Sequence, residues 1–173
     1  LENEGTLHAV GLAEGRDGRK ALLMDGKGYV EVPKSTSLNP AGGEWSVEAV
    51  VKSEQPDGMI LARGGKTAGY ALWLKQGRPV FTVTLGNKPF SVEAKEPVSG
   101  WVTLAGSITA GAKLTLDVNG VAVAERRLPG LLERDPNDVM QIGTDLGSPV
   151  VESAPPPFKG LIERVKIFRG PVR

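Results

Sequence analysis

Few residues in this chain are of the types that do chemistry. It holds no cysteine and a single histidine, His8, in 173 residues. Thiol nucleophiles, disulfides and thiolate metal sites are excluded at once. A lone histidine this near a terminus reads as an exposed side chain. Carboxylates are the remaining candidates for acid–base work. Glu133 and Asp135 stand two apart in "LLERDPND", but that stretch reads as a loop, and hydrolysis by paired carboxylates needs a fixed separation across the reacting bond. "RGGKTAGY", with Lys66 and Thr67, is rich in glycine. Its spacing is not that of a phosphate loop, and no helix follows to offer its N-terminus, so it reads as a mobile hairpin loop. No residue is assigned a catalytic role.

Two positions keep their interest. In "YALWLK", Tyr70, Leu72 and Leu74 fall on one side of a strand, and Ala71, Trp73 and Lys75 on the other. An indole on the more polar side offers a flat apolar surface to the C–H face of a sugar ring, which makes Trp73 the candidate carbohydrate contact. Cover by a neighbouring loop, or packing across the strands, is the alternative. In "FKGLIERVKIF", the alternation Leu161, Glu163, Val165, Ile167 places a carboxylate on the expected apolar side. A buried carboxylate needs partners, so Glu163 must be matched by donors or a cation.

The elements that must position these residues are strands. "KALLMD", "YVEV", "WSVEAVV", "MILAR", "YALWLK", "VFTVTL", "FSVEAK", "WVTLAGSI", "KLTLDV", "VAVAER", "VMQIG" and "LIERVKIF" are separated by stretches rich in Gly, Pro, Asn and Asp. "DVNGVAVA" is the sharpest hairpin signal, because Asn119-Gly120 suits a two-residue type I′ turn. "KQGRPV" and "LGNKPF" read as further hairpins. Trp45 and Trp101 each begin an apolar strand and read as core or rim packing. No segment has convincing helical periodicity. About a dozen short strands at this spacing predict an all-β, two-sheet antiparallel sandwich. "SAPPPF" precedes only one strand, so it reads as a stiff loop, and residues 1–173 form a single domain.

Charge narrows the partners. Lysine plus arginine number 21 against 20 acids, with no basic run, so neither nucleic acid nor an anionic membrane is expected. No apolar stretch is long enough to span a bilayer. The first residue is Leu1 and no signal segment is visible, so the chain reads as a segment of a longer protein.

Taken in order, "GRKALLMDGKGYVEVPKS", "WSVEAVVKS", "ILARGGKTAGYALWLKQGRPVFTV", "LTLDVNGVAVA", "IGTDLGSPV" and "FKGLIERVKIF" resemble the laminin-G-like, concanavalin-A-like jelly roll. Within that class, "GYALWLK", "PGLL", "GTDLGSPV" and "PFKGLIERVKI" look like the β-sandwich that some bacterial sulfatases carry after their catalytic domain. The resemblance implies a non-catalytic accessory domain of a larger exported enzyme, extracytoplasmic, whose first partner is the catalytic domain of the same chain. It would dock there or shape substrate access. An independent carbohydrate-binding module with a polysaccharide partner, and an adhesion-type protein interaction domain, are the alternatives. A sulfatase nucleophile needs "C/S-x-P-x-R", and related glucanases use "E-x-D-x-x-E"; neither pattern occurs here. The resemblance also implies a structural calcium ion between the last strand and the "DG-x-x-Y" turn, held by Asp25, the Gly28 carbonyl and Glu163. The metal-free alternative has Glu163 accepting from turn N–H groups or pairing with an arginine such as Arg19.

Overall fold

The computed structural model describes residues 3–153 and 155–170. Fourteen strands run through them: β1 (Thr6–His8), β2 (Gly11–Glu14), β3 (Lys20–Asp25), β4 (Tyr29–Val32), β5 (Trp45–Ser53), β6 (Gly58–Gly64), β7 (Ala68–Lys75), β8 (Arg78–Leu85), β9 (Lys88–Glu93), β10 (Trp101–Thr109), β11 (Lys113–Val118), β12 (Val121–Arg127), β13 (Met140–Ile142) and β14 (Lys159–Arg169). Only two short 3-10 turns, Arg16–Gly18 and Thr36–Leu38, interrupt them. Every expected strand is present. The two that the sequence did not reveal, β1 and β2, are short, exposed edge strands with too few residues to display an alternation.

The strands form two seven-stranded sheets, ordered β1-β4-β13-β6-β7-β8-β9 and β12-β11-β10-β5-β14-β3-β2. All pairings between named strands are antiparallel. The β11–β12 hairpin closes at Asn119 and Gly120, with φ of 51° and 79°, the left-handed pair that a type I′ turn requires. Gln76-Gly77 and Gly86-Asn87 are likewise both at positive φ, which accounts for the other two hairpins.

Alternate residues of the facing strands fill the space between the sheets. From β5 come Trp45, Val47, Ala49 and Val51; from β7, Tyr70, Leu72 and Leu74; from β10, Val102, Leu104 and Ile108. Trp45 packs on Tyr70 at 4.4 Å between ring centroids, with Phe81 edge-on at 6.0 Å. Phe81 lies against Gly106, where a Cβ would collide with its ring. Trp45 is thus a core residue, and Trp101 is half-buried at the strand start.

β14 departs from the simple alternation. Its register against β5 slips between Ile162, opposite Val51, and Arg164, opposite Val50. Glu163 is the extra residue of this β-bulge. The slip shifts the phase, so Ile162 enters the core while Val165 and Ile167 pack against it. Leu161, expected inward, instead pairs with the partly exposed Leu23 and with Lys52 on the outer face.

Candidate functional site

Glu163 is buried, with its side chain only 3% exposed. Its Oε2 accepts a hydrogen bond from the Arg16 backbone N–H at 2.7 Å. The guanidinium groups of Arg16 and Arg19 both stand 3.8 Å from Oε1. Gly15 makes room for the carboxylate, since a Cβ there would come within 2.9 Å of Oε2. The carboxylate therefore fastens β14 to the Gly15–Arg19 turn, as the metal-free alternative anticipated through Arg19, and not to the "DGKGY" turn.

The expected calcium ligands are not brought together. Asp25 lies opposite Lys159, four residues before Glu163, which is about 13 Å along a strand. The two carboxylates are turned to different partners, Glu163 to the Gly15–Arg19 turn and Asp25 to its own turn. Asp25 Oδ1 is already occupied by the N–H groups of Lys27 and Gly28, at 2.8 and 2.9 Å. Those bonds, Gly28 first, lower its pKa. Gly28 packs against the backbone of His8 and Ala9. Nor is His8 merely exposed: it stacks on Tyr29 at 4.4 Å and 15°.

Trp73 lies on the outer face of its sheet, as its alternation predicted. Opposite it are Met59 and Val80. Met59, Ala62 and Ala71 are covered by Val150 and Val151 of the long loop before β14, and Trp73 packs against the edge of this small cluster. Its indole N–H donates to Thr82 Oγ1 at 3.0 Å, and Thr82 Oγ1 lies 2.8 Å from Ser91 Oγ. The ring is half-buried and held in one orientation. Loop cover and partial exposure both occur, on different parts of the same indole.

The sequence did not point to the loop end of this sheet. Three segments meet there: the β6–β7 hairpin, the stretch before β13, and residues 145–148. They enclose a hollow of about 300 Å³ lined by Lys66, Arg134, Asn137, Asp138 and Ser148 among others. A second hollow of about 390 Å³ continues it past Gln141 and Asp145. The walls are tied from behind. Arg63, fully buried in β6, donates to the Leu38 carbonyl and, at 2.6 Å, to Asp135 Oδ1. Asp135 also faces Lys34 at 3.6 Å, so it is committed to holding the loop and makes no acid pair with Glu133. Burial drives the hydroxyl of Tyr70, beside Arg63, up to about 12. Asp145 Oδ2 accepts from the Val150 N–H at 2.8 Å, and Gln141 Oε1 from the Leu146 N–H at 2.6 Å. Burial, together with the charge of Asp138, pushes the Asp145 carboxyl up to about 6, against the opposing pull of the Val150 and Val151 N–H groups. A buried arginine in an otherwise apolar strand, "MILAR", was the one sequence signal for this construction.

Two facing antiparallel sheets, with one outer face partly roofed by a long loop, define a jelly-roll sandwich of the lectin type. The chain belongs to the concanavalin A-like lectin/glucanases superfamily, whose laminin-G-type model matches residues 24–172. No curated protein matches in sequence. Among solved structures, domain 4 of AbnA, a GH43 extracellular arabinanase from Geobacillus stearothermophilus in complex with arabinotriose, is similar at TM-score 0.72 and 20% identity. That match covers 98% of this chain and 84% of that one. The binding domain of Paraclostridial Mosquitocidal Protein 1 is similar at TM-score 0.76 and 13% identity, over 99% of this chain and 45% of that one. The binding domain of Botulinum neurotoxin DC, in complex with rat synaptotagmin II, gives TM-score 0.73 and 13% identity, over 99% and 44%. The chain thus spans less than half of either toxin domain. At these identities the likeness is one of fold.

Proposed function

We propose that this chain is a non-catalytic, saccharide-binding accessory domain of a larger exported enzyme. The observation that carries the reading is Trp73, a half-buried indole on an outer sheet face whose N–H is fixed by Thr82. A ring held in place before binding loses little entropy on contact with a sugar. Support comes from the arabinanase domain, a similar sandwich in complex with arabinotriose. The parent is a sulfatase-type hydrolase on the strength of the motif run "GYALWLK", "GTDLGSPV" and "PFKGLIERVKI". A "C/S-x-P-x-R" motif in the polypeptide that contains this chain checks that parentage. Binding is checked on a glycan array with Trp73→Ala beside the parent sequence: the variant is expected to lose binding by about tenfold, the effect of removing a stacked ring. Unchanged binding removes Trp73 from the site.

One observation favours a second role, docking to the catalytic domain of the same chain. Val121 and Val123 of the edge strand β12 are 64% and 38% exposed. Val123 borders an apolar hollow of about 350 Å³ with Ala94, Pro97 and Val98. Exposed apolar surface at a sheet edge is what an interdomain contact buries.

A further inference from the structure

We propose that the loop-end hollow is a saccharide subsite for a sugar ring bearing an anionic group, either a sulfate ester or a carboxylate. The inference rests on the saccharide-binding reading above and adds a contact region distinct from Trp73, which lies five residues along β7 from Ala68, or about 17 Å. The hollow, at about 300 Å³, has the scale of a small-ligand site.

Its lining decides the ligand class. Lys66 and Arg134 are exposed cations on facing segments, and Asn137 and Asp138 add an amide and a carboxylate. None of these four side chains makes a hydrogen bond or ion pair with another described residue. Two cations and a carboxylate thus share one hollow without closing on each other. The neighbouring Asp135, by contrast, is held by both Arg63 and Lys34 and is not free to pair with Arg134. No aromatic ring lines the hollow, so recognition there must be polar. An amide and a carboxylate read adjacent hydroxyl groups, one donating and accepting, the other accepting only. A guanidinium and an ammonium read an anionic substituent through charge-assisted hydrogen bonds. Two cations in the same hollow oppose a bound metal ion.

The walls are set before any ligand arrives. Arg63 holds the Arg134–Asp138 wall through Asp135. The Lys66 N–H donates to Ser148 Oγ at 3.3 Å, which joins the hairpin to the third wall. Gly65 permits that approach, since a Cβ there would lie 2.6 Å from Ser148 Oγ. Such cross-ties fix the backbone from which the two cationic side chains project, which lowers the ordering cost of the walls on binding.

The test is calorimetric titration of the 173-residue chain with three probes: a sulfated galactan oligosaccharide, its chemically desulfated counterpart, and an oligogalacturonate. The sulfated or the uronate probe is expected to bind at least about tenfold tighter than the neutral one, and more weakly as salt is raised. Which of the two wins names the anion. Lys66→Ala and Arg134→Ala, both surface changes that leave the melting temperature in place, should each erase most of that preference. Trp73→Ala should weaken all probes alike and leave the preference intact. Equal binding of charged and neutral probes, or a preference that survives both cation substitutions, overturns the subsite. Binding of the neutral probe alone, lost in Trp73→Ala, overturns the subsite while the saccharide-binding reading stands. No binding of any probe overturns both.

Discussion

Glu163 lies in the interior because a bulge puts it there. The residue alternation of "LIERVKIF" revealed that a carboxylate would be buried, and it placed Val165 and Ile167 correctly. It could not reveal the partner, because the Gly15–Arg19 turn is 144 or more residues away and has no pattern of its own. Nor did it reveal the phase shift at Leu161, since a bulge leaves the period of two intact on either side. Replacing Glu163 by Leu would strand the Arg16 N–H and leave two guanidinium groups without their shared anion. A loss of about 1–3 kcal/mol is expected, the cost of an orphaned buried donor. Glu163→Gln keeps an acceptor oxygen and should lose less. Thermal melts of the two variants check this, and a Glu163→Leu protein as stable as the parent would contradict the clamp. Adding calcium or a chelator should leave the melting temperature unchanged, because Asp25 and Glu163 accept from different turns and only a ligand bound to the native state shifts unfolding; a rise with calcium would contradict this.

At the scale of elements, the strands were legible because one face of each is buried and the turns are chemically marked. The long loop from Gly143 to Pro157 was not, because its apolar anchors, Val150 and Val151, show no periodicity. Yet this loop roofs the outer face beside Trp73 and builds one wall of the loop-end hollow. Its order should depend on pH through Asp145. The folded carboxyl titrates at about 6 against 3.8 for the ordinary group, so the folded state holds the proton more tightly than the unfolded chain. Its contribution to stability is then fully present below about pH 4 and is lost as pH rises through about 6. Melts at pH 4.5 and 7 check this against Asp145→Asn, which keeps an acceptor for the Val150 N–H but cannot ionise. The variant should lose part of the parent's fall in stability over that interval. An identical pH profile for the two proteins would show that Asp145 is not its source. Between the sheets, Gly106→Ala should destabilise by roughly 1–3 kcal/mol, the usual cost of overpacking, because its new methyl group meets the Phe81 ring. A melt of that variant tests the packing directly.

At the scale of the whole molecule, two sheets with a filled core leave several surfaces open among the described residues, of which three are assigned to partners: the Trp73 face, the loop-end hollow and the apolar edge at Val121 and Val123. The first was legible as an indole on the polar side of "YALWLK". The second was not, since Lys66 is far in sequence from Arg134 and Asp138 and only the fold brings the two segments to one rim. The third was hidden because an edge strand and a central strand share the same alternation. The central claim is that this sandwich binds saccharide without transforming it. The most direct measurement is incubation of the purified chain with arrayed and soluble oligosaccharides, reading retention and cleavage together, for the parent sequence and Trp73→Ala. The account predicts retention of at least one glycan class, intact ligand recovered after incubation, and a clear loss of retention in the variant. Cleaved product that disappears on a single substitution within the chain, or no retention of any glycan, would contradict it.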